Sequence, residues 1–108
     1  MNRGTVVWVD LSDASPPEMG MRRPAVVVSN TIQNQVLATL VAVPLSSAAP
    51  EIPPLRVRLH VAALKKASYA VTPGILQIKR SRILGVAGRL SGADLALLDE
   101  AIREYLSD

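Results

Sequence analysis

Residues 24–29 read PAVVVS, and the reading of this run decides the fold. Ala25, Val26, Val27 and Val28 are apolar without alternation, and three of the four are β-branched. A run of that length and composition predicts a strand buried on both faces. Working outward, residues 5–11 (TVVWVDL) are again β-branched and apolar and predict a first strand. Between the two, residues 12–22 carry Pro16, Pro17 and Gly20 among Ser, Asp and Glu, which predicts a loop. It is long for a hairpin connection, and long loops in compact domains are often functional. On the other side, residues 30–35 predict a polar turn and residues 36–43 (VLATLVAV) a third apolar element. Its length and its Val and Thr favour a strand, although periodicity alone leaves a helix open.

Residues 44–54 contain four prolines and predict a second long loop. Residues 55–61 (LRVRLHV) alternate strictly, with Arg56, Arg58 and His60 between apolar positions. That pattern predicts a half-buried strand with a basic outer face. Residues 62–69 suit a short helical turn, residues 74–78 a strand, residues 80–83 a turn and residues 84–90 the last strand. Gly85 and Gly88 in that strand predict a bulge or close packing. Ser91 is a good helix N-cap, and Asp94 completes a capping-box-like pattern. Leu95, Leu98, Ile102 and Leu106 then follow as one apolar stripe. Short strands followed by one helix predict a single domain over residues 1–108, mainly β (α+β). Its form is a small antiparallel barrel or sandwich with a C-terminal amphipathic helix.

Composition removes many chemistries. The 108 residues contain no Cys, so disulfides, thiolate zinc sites and cysteine nucleophiles are excluded. His60 is the sole histidine, which excludes a multi-histidine metal site, and no cofactor motif is present. Aromatic residues make up 3%, too few for a surface of stacked aromatics; Trp8 reads as a core or interface residue. Asp10 and Asp13 fall where a signal peptide would be apolar, and no run is long enough to span a bilayer. The expectation is a cytoplasmic protein with no membrane association. The net charge of +3 hides a sharper pattern. Residues 22–89 hold ten Lys and Arg against Glu51 alone, whereas both flanking segments are acidic. A basic middle of this kind suggests an anionic partner, of which nucleic acid is the commonest.

One reaction suits an inventory of Arg and hydroxyls: RNA scission by the substrate's own 2′-OH. The ribose supplies the nucleophile, so no Ser, Cys or metal-bound water is needed. The protein has to hold the phosphate in line, stabilise the phosphorane and help move two protons. Arg suits the phosphate because its planar fork binds two oxygens.

These residues also carry a resemblance. The opening R-G-x-V-x-x-V-D-L from Arg3 to Leu11 is followed by E-x-G-x-R-R-P-A-V-V-V-S-N from Glu18 to Asn30. V-P-L-S-S then runs from Val43 to Ser47, R-S-R-I from Arg80 to Ile83 and G-R-L-S from Gly88 to Ser91. In order and spacing this closely resembles the MazF/PemK toxin family of endoribonucleases, over nearly the whole chain. The resemblance implies an SH3-like, PemK-type barrel that acts as a homodimer. It implies metal-independent, sequence-specific cleavage of single-stranded RNA to 2′,3′-cyclic phosphate and 5′-OH ends. It further implies an mRNA interferase restrained by a MazE-like antitoxin.

Carried over by motif, the resemblance implies Arg23 and Ser46 as the catalytic pair. Glu18, Arg22, Ser47, Arg56, Arg58, Lys79, Arg80 and Arg82 stand as candidate RNA-binding residues, and no residue is a metal ligand. Lys65, Lys66 and His60 read as solvated positions. The sequence departs from the pattern where many members carry A-D-Q-I-R, since Thr72, Pro73, Gly74, Ile75 and Leu76 stand there. Two alternatives remain open on sequence alone. One is a CcdB-like gyrase-binding toxin, against which the ending Tyr105-Leu106-Ser107-Asp108 counts. The other is a degenerate module that binds RNA or antitoxin without cleavage.

Overall fold

The computed structural model describes residues 1–11, 21–48 and 50–107. Seven strands among them are β1 (Thr5–Leu11), β2 (Met21–Val27), β3 (Thr39–Ser46), β4 (Arg56–Leu59), β5 (Ser68–Val71), β6 (Leu76–Lys79) and β7 (Ile83–Arg89). Two helices, α1 (Thr31–Val36) and α2 (Gly92–Tyr105), and two 3₁₀ turns, Thr72–Gly74 and Arg80–Arg82, complete the order. Every strand pair is antiparallel, in the order β4-β5-β3-β2-β1-β7, with β6 also on β3. β3 serves three neighbours in turn: β6 from Thr39 to Ala42, β2 from Ala42 to Pro44, and β5 at Leu45 and Ser46. Changing partners along one strand is what curls the sheet. The predicted antiparallel barrel with a terminal helix is the observed architecture.

Side-chain alternation splits the core in two. Val6, Val26, Val43 and Leu45 pack on one face with Val57, Leu59, Ala70 and, from α2, Leu98 and Ala101. Val7, Val9, Ala25, Val27, Leu40 and Ala42 pack on the other with Ile78. The central strands are thus buried on both faces, as the unbroken apolar runs predict.

Two register shifts between β1 and β7 fall beside Gly88 and Gly85, which places a bulge at each. Among the described strands β4 pairs only with β5, and carboxylates take outward backbone donors of β4 and of the residue after it. Arg58 N–H donates to Glu51 Oε2 at 2.8 Å and His60 N–H to Asp94 Oδ2 at 2.7 Å.

The N-terminus is fastened to α2. Arg3 Nε donates to the Val28 carbonyl at 2.9 Å while its guanidinium pairs with Asp99. Gly4 sits at φ 88°, a left-handed conformation, and a Cβ there would lie 3.3 Å from Leu95 Cδ2. Ser91 Oγ accepts from Asp94 N–H at 3.1 Å, the expected N-cap. The Asp94 carboxylate reaches β4 rather than the cap, so half of the expected box is put to another use.

Several expectations are corrected. Residues 30–35 hold α1 rather than a simple turn, because Asn30 Oδ1 accepts from Ile32 N–H at 2.7 Å and caps it. Asn34 is buried, and its Nδ2 donates to the Ser29 carbonyl at 3.0 Å, closing the helix onto the end of β2. β2 starts at Met21 and ends at Val27, taking in part of the expected loop. β3 starts only at Thr39 and runs through Pro44 to Ser46, because β5 supplies a partner the local sequence does not reveal. Residues 62–69 form no helix; Ser68 and Tyr69 belong to β5. In residues 74–78, Gly74 ends a 3₁₀ turn and β6 begins at Leu76. Leu55, although apolar in the alternating pattern, is exposed. Leu106 is 70% exposed, beyond the end of α2, and Ala101 takes the expected place of a core residue. Trp8 is 39% exposed and is not a core residue.

Leu98→Ala should lower unfolding free energy by about 2–5 kcal/mol in urea denaturation. Leu106→Ala should change it by no more than about 0.5 kcal/mol. Gly4→Ala should cost about 1–2 kcal/mol through its left-handed backbone.

Candidate functional site

At the end of the sheet where β1, β2 and β3 lie side by side, the double burial stops. Trp8 pairs with Pro24, Val9 with Arg23 and Asp10 with Arg22. The β2–β3 pairing ends at Ala25↔Pro44, and just past it Arg22 and Arg23 on β2 and Ser46 and Ser47 on the other side line one cleft. A guanidinium and a hydroxyl are thereby brought to one place from stretches that lie far apart in the chain.

A cleft of about 400 Å³ opens there. Trp8, Arg22, Arg23, Pro24, Leu45, Ser46 and Ser47 line one side, and Leu64, Lys65, Lys66, Ala67 and Ser68 the other. Among the described residues the lining has four cations and no carboxylate. A phosphate about 4 Å from one such cation gains about 4 kcal/mol at an effective dielectric near 20, before desolvation. Leu45 is fully buried and forms an apolar floor, while Trp8 offers an exposed ring edge or face.

Local structure aims the two central side chains. Pro24 holds Arg23 in extended backbone. Arg23 is half-buried, which limits its side-chain freedom, whereas Arg22 is exposed. Ser46 Oγ accepts from Ala48 N–H at 3.1 Å, a short side-chain turn that fixes the oxygen. That bond uses a lone pair and not the hydroxyl proton, which the oxygen can still donate. Arg56 Nη1 donates to the Ala48 carbonyl at 3.0 Å, so the residue that closes the turn is gripped at its N–H and its C=O.

The sequence-predicted residues therefore separate. Arg22, Arg23, Ser46 and Ser47 meet in this cleft. Arg58 lines an adjoining one. Arg56 supports the Ser46 turn from outside the cleft lining. Lys79 is exposed on β6, opposite Thr39. Arg80 donates to the Leu37 carbonyl at 2.7 Å and to that of Asn34, closing the end of α1. Arg82 Nη1 donates to the Asp10 carbonyl at 3.3 Å, tying the second 3₁₀ turn to β1. Glu18 lies outside the described residues, as does the expected loop over residues 12–20. Thr72, Pro73, Gly74, Ile75 and Leu76 do not line the cleft. Thr72 instead donates its hydroxyl to the Pro54 carbonyl, and Ile75 and Leu76 pack against the two cores.

Trp8, Lys65 and Lys66 are among the lining residues that the sequence does not assign to the site. Only the pairing of Trp8 with Pro24, next to Arg23, would have flagged the first, and cross-strand pairing leaves no local mark. The lysines carry a local signal, a Lys pair ahead of Ser68, but their facing wall belongs to other strands.

Over residues 2–106 the chain matches the family described as PemK-like, MazF-like toxin of type II toxin-antitoxin system. It is 36% identical over 113 residues to Endoribonuclease MazF9 of Mycobacterium tuberculosis (strain ATCC 25618 / H37Rv), spanning 98% of this chain and 96% of that protein. Among solved structures, MazF from Deinococcus radiodurans superposes with a TM-score of 0.84 at 25% identity, over 98% of this chain and 96% of that one. A mycobacterial endoribonuclease in complex with its cognate antitoxin superposes with a TM-score of 0.82 at 23% identity, over 98% and 94% of the two chains. The last of these is a likeness of fold.

If the cleft holds a polyanion, Lys65→Ala/Lys66→Ala should weaken binding of a mixed single-stranded RNA pool. The slope of log affinity against log salt should fall by about 0.7 for each phosphate no longer neutralised, read by fluorescence anisotropy.

Proposed function

The chain belongs to the PemK-like, MazF-like family of type II toxins, and from that premise we propose that it is an endoribonuclease that cuts single-stranded RNA at specific short sequences without a metal ion. One observation carries this reading: Arg23 and Ser46, from adjacent strands, line a cleft with four cations and no carboxylate among the described residues. The nucleophile is the ribose 2′-OH on the 5′ side of the cut. As its oxygen bonds to phosphorus, the P–O5′ bond breaks, giving a 2′,3′-cyclic phosphate and a 5′-OH. The 2′-OH proton leaves and O5′ gains one.

Arg23 has the role of binding the non-bridging oxygens. A guanidinium keeps its charge through the accessible pH range, so it stabilises the growing negative charge as a fixed cation. Ser46 donates its hydroxyl proton in a hydrogen bond to the same oxygens. Arg22, Lys65 and Lys66 hold flanking phosphates, and Ser47 stands beside the strand. The exposed Trp8 ring offers a surface for a base. Among the described residues no three His, Asp or Glu side chains gather as metal donors.

The reading extends to partners. A MazE-like antitoxin restrains the activity by covering the basic cleft. The working form is a homodimer, supported by Leu84 and Val86 exposed on β7, which pairs only with β1 among the described strands. The place of action is the cytoplasm; no helix among the described residues is long and apolar enough to cross a membrane.

Purified protein, freed of antitoxin, should cleave a diverse RNA pool in EDTA, and sequencing of the 5′-OH ends should return one short motif. Arg23→Ala should reduce the cleavage rate by at least about 100-fold, the loss seen when a transition-state donor is removed. Ser46→Ala should lower it by about 10–100-fold, with circular dichroism unchanged for both. Intact RNA after digestion by the wild-type protein would overturn the reading.

A further inference from the structure

A second cleft, of about 330 Å³, adjoins the first. The two share a wall, Leu64, Lys65, Lys66 and Ala67, so Lys65 and Lys66 border both. The far wall belongs to β4 and the residues after it, where Arg58 and His60 stand two apart, with Asp94 of α2 at the base. Arg58, His60, Lys65 and Lys66 are all exposed. Among the described residues none of Arg58, Lys65 and Lys66 pairs with a carboxylate. The two acids nearby are committed elsewhere, Glu51 to Arg58 N–H and Asp94 to His60 N–H. Both bonds engage the backbone and leave the guanidinium and the imidazole out of them. The fold thus accounts for the acids and leaves the basic side chains without a structural task.

We propose that this second cleft is a nucleotide subsite. It takes a phosphate and base of the same RNA strand whose cleaved phosphate lies between Arg23 and Ser46. The inference rests on the function proposed above. Arg58 supplies a planar fork for a phosphate. His60 supplies a flat ring that stacks on a base or bonds its edge. Lys65 and Lys66 bridge the two clefts, as a continuous polyanion requires. Continuity with the first cleft favours a nucleic-acid strand over an acidic protein segment, because one chain of regularly spaced charges meets cations along the whole path. The subsite lies to one side of the cut, so it takes nucleotides that flank the recognised sequence at one end only.

The test uses the motif found by end sequencing, synthesised with a 2′-deoxy residue at the cut position so that it binds without cleavage. Three oligonucleotides are compared by fluorescence anisotropy: the motif alone, and the motif extended on its 5′ or its 3′ side. Wild-type protein should gain affinity from one extension and not from the other. Arg58→Ala/His60→Ala should lose that gain, at least about fivefold, the scale of one stacked base. The salt slope on the extended strand should fall by about 0.7, and Arg58→Lys should restore the slope without restoring the full affinity. Equal losses on all three oligonucleotides, or no loss on any, would overturn the subsite and leave the proposed function standing. Loss of antitoxin binding with RNA binding intact would assign the cleft to a protein segment and overturn the subsite too. A wild-type protein that cleaves no RNA would remove both. Circular dichroism checks that each variant is folded.

Discussion

The constraint on which the rest depends is the burial of β1, β2 and β3 on both faces. Val6, Val26 and Val43 fill one core while Val7, Ala25, Val27 and Ala42 fill the other. A slip of one residue in any of these pairings would exchange the two sets of side chains. The register is therefore fixed by packing through the middle of the sheet. Just past the paired stretch, Arg23 and Ser46 line one cleft, with Trp8 paired to Pro24 beside them. Cationic groups of β2 emerge where the double burial ends, so one wall of the site is held by the sheet, while the facing wall, residues 64–67, lies between strands.

Much of this was legible in the chain, and the failures share a cause. β1 could be read to the residue, and the N-cap of α2 at Ser91 followed from residue type and spacing. α1 was not legible, because six residues are too few for a helical period to show and its stability comes from Asn30 and the buried Asn34. Pro44, Leu45 and Ser46 read as loop because proline is rare inside sheets; their strand depends on neighbours distant in sequence. Arg23 and Ser46 were legible through motif. Trp8, Lys65 and Lys66 were not, since their membership of the cleft is a property of pairing and of a facing wall.

The acidic residues also sort by structure. Asp99 holds Arg3, Glu51 and Asp94 hold backbone of β4, and Glu100 pairs with Arg103 on the outer surface of α2. The exposed or half-exposed pairs are worth about 0.2–1 kcal/mol each. Their larger consequence is spatial, because none of these braces lines the cleft that holds Arg23 and Ser46. Arg56, Arg80 and Arg82 show the same division among the cations: each reaches a backbone carbonyl. The strong middle charge seen in the sequence is thus part scaffold and part exposed cleft lining.

The two carboxylates that hold the backbone at Arg58 and His60 have a consequence for the behaviour of many copies together. An open strand edge offers its unpaired N–H groups to any extended segment that drifts against it. At Arg58 and His60 those donors are already taken. A foreign strand would have to displace two charge-assisted bonds before it could dock. Copies brought close together therefore meet an edge that is guarded against strand addition at these two positions.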